Sequence, residues 1–364
     1  MILRVIKIGT SLLRGIKDKS TNEMIAGYSK YLSASLKRND KVVLVTSGAV
    51  GLGCNRLGIR QRPKDLLSLQ ATAAIGQGQL MALYESAMRK HGHAVAQVLL
   101  TRSDLGSRKN FQGASNTLRK LIEWGVMPVV NENDTLSPEE LRFGDNDTLS
   151  ALVATAINAD ELILLTDVDQ LYSADPRQDS EAKPISDIHH QNAINKLESS
   201  KAESGSWGTG GMTTKLAAAR IATASGITVH LADGRDPKRL DELLRGSRGG
   251  TVFHPSPNPI GNRKSWLLHA LQPKGVIELD SGASNALKNC GASLLLVGIT
   301  GINGCFETNQ PVRIVNQEGE EIGRGLSSFS SNELLQAITS KKDLRRSPVV
   351  IHRDVLALSN APLE

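Results

Sequence analysis

Through roughly the first 250 residues, short and nearly continuous apolar runs alternate with longer stretches of helix-forming residues. This alternation constrains the fold more than any other feature. Val42-Val43-Leu44-Val45 and Leu162-Ile163-Leu164-Leu165 show no polar alternation, which suits strands covered on both faces of a mainly parallel sheet. Strands are expected over Arg4 to Gly9, Lys41 to Thr46, Ala94 to Leu100, Met127 to Asn131, Glu161 to Thr166 and Ile227 to Ala232. Helices are expected over Asn22 to Asn39, Lys64 to His91, Arg108 to Trp124, Asn146 to Ala159 and Thr213 to Ser225. Strand and helix in turn predict an α/β/α sandwich, and ligands of such folds gather at the carboxyl ends of the strands. Aromatic residues make up only 3%, so the core must rest on Leu, Ile, Val and Ala.

The rhythm breaks at Thr251 to Arg263, a stretch with three prolines that reads as a boundary. Beyond it, short strands at 275–279, 312–315 and 348–351 flank one helix at 284–289, which predicts a small, mostly β domain. The expected division is 1–255, a joining stretch 256–273, and 274–355. The +6 net charge, 43 Lys and Arg against 37 Asp and Glu, is unevenly placed. From Asn262 onward there are 11 basic and 10 acidic residues, so the excess belongs to the first part. Three scattered cysteines, Cys54, Cys290 and Cys305, support neither a disulfide framework nor a structural zinc site and suggest a reducing, cytoplasmic compartment. No apolar run is long enough for a transmembrane helix.

Five segments carry candidate chemistry. Lys7-Ile8-Gly9-Thr10-Ser11, at the end of the first strand, can aim one cation and several N–H groups at phosphate oxygens; a solvated lysine before a turn fits the segment equally well. Thr46-Ser47-Gly48-Ala49, with Gly51 and Gly53, is either a close-approach site for a ligand or a plain turn. It is not a dinucleotide fingerprint, because Arg56 stands where the third glycine would fall. Asn131-Glu132-Asn133-Asp134 and Gly144-Asp145-Asn146-Asp147 are denser in short polar side chains than helix capping requires. Thr166-Asp167 closes a strand and precedes Leu171-Tyr172-Ser173-Ala174-Asp175-Pro176-Arg177. Finally, Gly208-Thr209-Gly210-Gly211-Met212-Thr213-Thr214-Lys215 opens an Ala-rich helix. Such a glycine-rich helix start favours anions through its free N–H groups and dipole, but it lacks the GxxxxGK[ST] pattern of a P-loop.

Taken together, KxGTS, TSGA, NEND, GDND, LLTD, LYxADPR and GTGGMxTK resemble the amino-acid kinase family, and within it the glutamate 5-kinase branch. The C-terminal part, through Leu279-Asp280-x-Gly282-Ala283 and Gly291 to Leu295, resembles a PUA domain. The resemblance implies ATP-dependent phosphorylation of the side-chain carboxylate of free glutamate, with Mg²⁺ bridging phosphate oxygens and no protein metal ligand named. It implies that Lys7 and Lys215 flank the migrating phosphoryl group and that Asp147 positions them. Ser47, Asp134 and Asn146 would hold glutamate. Thr166, Asp167, Thr209, Gly210, Gly211, Met212, Thr213, Thr214 and Lys215 would meet the nucleotide. A carboxylate with a reference pKa of about 4.3 is already ionised at pH 7, so no general base is needed, and none of the eight histidines lies in these motifs. Further implications are proline as feedback inhibitor, hand-over of the acyl phosphate to glutamate-5-semialdehyde dehydrogenase, and a homotetramer.

Three other readings compete with this one. A kinase acting on aspartate, acetylglutamate, carbamate or a nucleotide is disfavoured by the paired NEND and GDND segments and the PUA-like tail. RNA binding by that tail is unsupported, since its charge is nearly balanced and its only Trp and Phe residues are Trp266, Phe306 and Phe329. A catalytically dead scaffold is disfavoured because every required charged residue is present.

Overall fold

The computed structural model describes residues 1–364 apart from 15–18, 102–103, 106–107, 137–145, 175, 177–178, 190–192, 195–196, 198–210, 270, 272, 340–346 and 360–364. The chain divides into two compact units, Met1–Ile260 and Gly261–Glu364.

In the first unit the strands are β1 (Leu3–Ile8), β2 (Lys41–Val45), β3 (Val95–Leu100), β4 (Met127–Glu132), β5 (Glu161–Thr166), β6 (Leu171–Tyr172), β7 (Pro184–Ile185), β8 (Asp187–Ile188), β9 (Thr228–Asp233) and β10 (Thr251–Phe253). The helices are α1 (Thr10–Leu13), α2 (Thr21–Lys37), α3 (Ala49–Arg56), α4 (Leu66–Arg89), α5 (Arg108–Glu123), α6 (Asn146–Ile157), α7 (Gly211–Ala224) and α8 (Lys238–Leu244). One sheet runs β3-β4-β2-β1-β5-β9-β10-β8. It is parallel from β3 to β9, and β10 enters antiparallel to β9. The six strands expected from the sequence form this parallel part, with ends shifted by no more than one residue.

β1 lies at the centre, with Lys7 paired to Val45 on one side and Leu164 on the other. Alternate residues of the central strands separate to the two faces. Ile6, Ile8, Val42, Leu44, Ile163 and Leu165 join one core with Met24, Ile25, Tyr28 and Leu32 of α2 and Leu80, Tyr84 and Met88 of α4. Val5, Val43, Val45, Leu162 and Leu164 are equally buried, and α6 packs against β1 and β5 with α7 beside it. Both faces are therefore covered, the physical reason these strands carry no polar alternation.

The TSGA segment makes the turn into α3, and Ser47, Gly48, Ala49 and Gly51 line a cavity. Gly48 adopts φ +104°, a left-handed conformation that costs residues other than glycine, and α3 begins directly after it. A Cβ on Gly53 would stand 1.8 Å from the Thr72 carbonyl oxygen, and one on Gly76 1.8 Å from that of Ala49. Gly53 and Gly76 thus let α3 and α4 pack backbone against backbone, whereas Gly51 has open space around it.

The proline-rich stretch does not hang free. β10 completes the sheet, while the Ser256 and Ile260 N–H groups donate to Thr223 and Ala224 at the end of α7. Residues Asn262–His269 form α9, which packs within the second unit. That unit adds β11 (Gly275–Leu279), α10 (Ser281–Cys290), β12 (Leu294–Leu295), β13 (Ile299–Gly304), β14 (Pro311–Val315), β15 (Glu321–Leu326), α11 (Ser331–Thr339), β16 (Val349–Ile351) and β17 (Leu356–Leu358). Its sheet runs β13-β11-β14-β15-β17, with β12 and β16 paired apart from it. Ile277, Leu279, Phe306, Val312, Ile314, Leu334 and Val350 fill its core. Asp280 caps α10, its Oδ1 accepting from the Ala283 N–H at 2.6 Å. Among the described residues, no helix is long and apolar enough to cross a membrane.

Candidate active site

The carboxyl ends of β1, β2 and β5 and the start of α6 meet at one point, where a buried ion triad forms. Asp147, the second residue of α6, is 1% exposed. Its Oδ1 faces the Lys7 ammonium from β1, and its Oδ2 lies 3.1 Å from the Lys215 Nζ, one turn into α7. The Thr214 hydroxyl also donates to Oδ2, at 3.1 Å. Lys215 Nζ donates to the Gly211 carbonyl at 3.0 Å, and that carbonyl, also 3.0 Å from Thr214 Oγ1, is the alternative acceptor for the single Thr214 proton. Burial alone would raise the Asp147 pKa, but the two ammonium groups outweigh it and hold the carboxyl below the usual carboxylate range. Its place in the first turn of α6 adds the favourable end of a helix dipole. One anion between two cations leaves a net positive charge at the strand ends, suited to a transferring phosphoryl group.

Beside the triad is a cavity of about 520 Å³ lined by Ser47, Asn131, Asp134 and Asn146, with Thr10 and the first residues of α3. Asn146 is 6% exposed. Its amide nitrogen, with two N–H donors, lies 2.5 Å from the Thr46 carbonyl, 2.8 Å from the Asn131 Oδ1 and 3.0 Å from the Ser47 hydroxyl, which share its two protons. The Asn131 amide in turn donates to Gln77 Oε1 of α4 at 2.7 Å, and the Thr46 and Tyr84 hydroxyls share a hydrogen bond of 2.9 Å. Groups from the turn after β2 and from α4, β4 and α6 thereby fix one another before any ligand arrives. Asp134 follows β4 in a turn where the Leu136 N–H donates to the Asn133 carbonyl. Burial pushes its carboxyl pKa up to about 6, although the Arg62 guanidinium pulls the other way. Arg60 and Arg62 line the same cavity.

Lys7, Asp147 and Lys215 are thus in direct contact, while Ser47, Asp134 and Asn146 share the adjoining cavity. Thr166, buried at the end of β5, donates to the Asp167 carboxylate at 3.2 Å, and its carbonyl accepts from the Gly234 N–H. Asp167 is exposed beyond it. Met212 is buried in α7, Thr213 is exposed, and Gly211 and Thr214 stand at the triad. Thr209 and Gly210, like Gly144 and Asp145, lie outside the described residues. Sequence reasoning did not single out Gln77, Tyr84, Arg60 or Arg62. A glutamine within a long helix and arginines in a loop carry no local signal; only tertiary packing sets Gln77 and Tyr84 behind Asn131 and Thr46 and brings Arg60 and Arg62 to the cavity.

A parallel sheet at whose carboxyl ends a strand lysine and a helix lysine meet one buried aspartate, beside a polar cavity, defines a phosphoryl-transfer enzyme that dispenses with a P-loop. The chain belongs to the amino acid kinase family, whose model matches residues 3–233, and the PUA domain model matches residues 275–345. It is 68% identical over 361 residues to a glutamate 5-kinase of Prochlorococcus marinus (strain MIT 9313), covering 99% of this chain and 100% of the relative. It is 62% identical to a glutamate 5-kinase of Parasynechococcus marenigrum (strain WH8102), covering 98% and 99%. A carbamate kinase from Giardia lamblia bound to AMP-PNP shares the fold at TM-score 0.52 and 18% identity, covering 70% of this chain and 99% of that one.

Proposed function

We propose that this chain transfers the γ-phosphoryl group of ATP to the side-chain carboxylate of L-glutamate, forming L-glutamyl 5-phosphate, the first step of proline biosynthesis. The observation that carries the proposal is the Lys7–Asp147–Lys215 triad beside a cavity lined by two carboxylates, Glu132 and Asp134, together with polar and basic side chains. The activity is assigned to the first unit. In the reaction a glutamate carboxylate oxygen forms the new P–O bond. The bond from phosphorus to the β–γ bridging oxygen breaks, and ADP leaves with the electron pair. No proton moves, because the nucleophile is already ionised.

The two lysines share the role of neutralising charge on the transferring group. Asp147 touches both ammonium groups and so fixes their separation. Ser47, Asn146 and Asp134 orient glutamate, Asp134 pairing with its α-ammonium. Thr166, Asp167, Thr209, Gly210 and the first residues of α7, Gly211 to Lys215, receive the nucleotide. Mg²⁺ fits this arrangement as a phosphate-borne ion, supplying charge neutralisation. Both Asp147 oxygens face ammonium groups, so the triad offers the ion no open carboxylate oxygen. Proline inhibition, tetramer formation, cytoplasmic location and hand-over to glutamate-5-semialdehyde dehydrogenase accompany this reading as expectations.

The test is incubation with ATP, Mg²⁺ and hydroxylamine, which traps acyl phosphates as coloured hydroxamates. Glutamate, aspartate and acetylglutamate are supplied separately. Colour with glutamate alone, abolished by Lys215→Ala, is expected. Colour with another acid moves the substrate assignment, and no colour from folded protein overturns the carboxylate-kinase reading.

A further inference from the structure

A second cluster of ligand-type side chains lies at the edge of the large sheet. β8 pairs in parallel with β10 so that Asp187 faces Val252 and Ile188 faces Phe253. The backbone continues this register, the His254 N–H donating to the Ile188 carbonyl at 2.8 Å. Two-residue alternation puts Asp187 and His189 on one face of their strand, and the register sets His254 beside His189. The two imidazoles stack with centroids 4.1 Å apart and planes 9° from parallel. His254 Nε2 lies 2.8 Å from Asp187 Oδ1. One ligand atom from each of Asp187, His189 and His254 falls within 4.8 Å of the other two.

We propose that Asp187, His189 and His254 form a binding site for one divalent transition-metal ion of the zinc class. Two imidazoles and one carboxylate are a ligand set that suits such an ion. Bonds of about 2.0–2.1 Å in tetrahedral geometry separate ligand atoms by about 3.3 Å. The Asp187–His254 pair is already near that spacing, and the ion takes the place of the proton the two now share. His189 supplies the third bond by rotating about its side-chain torsions, and water completes the shell.

The site stands apart from catalysis. β10 runs antiparallel to β9, and Phe253 pairs with Val229, so His254 lies at the amino ends of the parallel strands, opposite Lys7 and Asp147. Asp187 and His254 are half-buried and His189 is exposed, which leaves the ion a path from solvent. Its effect is to clip β8 to β10, joining an edge strand of two residues to the sheet.

The test uses the whole chain stripped with chelator and dialysed against Zn²⁺ with Mg²⁺ in excess, followed by metal analysis, and Co²⁺ absorption as a second reading. One ion per chain, a thermal midpoint raised by the metal, and Co²⁺ bands of a four-coordinate site are expected. His254→Ala and His189→Ala should each weaken binding at least tenfold, lose the thermal shift and keep glutamate-dependent turnover in metal-free buffer supplemented only with Mg²⁺. His93→Ala, a control elsewhere in the unit, should retain the ion. Absence of stoichiometric binding by the wild type overturns the proposal, as does binding that survives both histidine substitutions. Asp187→Asn, which preserves shape, is the check should an alanine variant not fold. It should lower affinity, and unchanged affinity also overturns the site.

Discussion

Replacing Asp134 by asparagine should make the enzyme more stable and much worse at binding glutamate. In the ligand-free protein burial raises this carboxyl from 3.8 to about 6. A folded-state pKa above the unfolded one means that the native state holds the extra proton between about pH 4 and 6, so stability falls as pH rises through that window. At pH 7.5 the ionised group opposes folding by up to about 3 kcal/mol, at 1.36 kcal/mol per pKa unit, and solvent in the cavity reduces this to about 1–2 kcal/mol. The Asp134→Asn substitution abolishes that cost. It also removes the charge that pairs with the glutamate ammonium, a charged hydrogen bond contributing about 1.5–3 kcal/mol, so the KM for glutamate should rise about 10- to 150-fold while the KM for ATP stays fixed. In the wild type about one Asp134 in eleven is ionised at pH 5, given a pKa of about 6. The kcat/KM for glutamate should therefore fall about tenfold from pH 7 to pH 5, and the variant should lose that acid limb. Denaturant unfolding at several pH values and hydroxamate initial rates supply both readings. A variant that is less stable at pH 7.5, or that keeps both the wild-type glutamate KM and the acid limb, would refute the reasoning.

Asp147→Asn leaves two buried ammonium groups facing an amide. Two unit charges about 5 Å apart repel by about 3 kcal/mol at an effective dielectric of about 20, and with the screening carboxylate gone kcat should fall at least 100-fold with a lower thermal midpoint. Lys215→Met should lower kcat about 100- to 1,000-fold with little change in glutamate KM, since it removes charge stabilisation of the transferring group. Asn146→Ala strips donors from Thr46, Ser47 and Asn131 and should cost about 2–3 kcal/mol in unfolding free energy, together with a raised glutamate KM. Gly76→Ala drives a methyl into the Ala49 carbonyl and should destabilise by more than about 3 kcal/mol. Gly78→Ala, two residues along α4 with open space around it, should stabilise by about 0.5–1 kcal/mol; the contrast between the two is read by chemical denaturation.

Local chemistry determined much of this protein without the fold. Burial on both faces leaves a strand no room for polar alternation, so Val42–Val45 and Leu162–Leu165 announced a parallel sheet and, with it, the end of the sheet where a ligand binds. The segments holding Asn146, Asp147 and Lys215 stood out as candidates because they carried more polar or glycine residues than caps and turns need. Lys7 fitted a plain strand-end lysine equally well, and the roles of all four came from the family resemblance of the combined motifs. The tertiary structure alone decided which of these groups meet. Asp147 touches Lys7 across 140 positions of sequence and Lys215 across 68, and no local pattern encodes such a separation. It also placed Gly53 at a helix crossing, because backbone-to-backbone packing of α3 on α4 brings it together with Gly76 from a separate helix. The rise in the Asp134 pKa comes from the walls of the cavity, and the Asp187, His189 and His254 cluster from strand register. Both are properties of three-dimensional neighbours that the order of residues does not display.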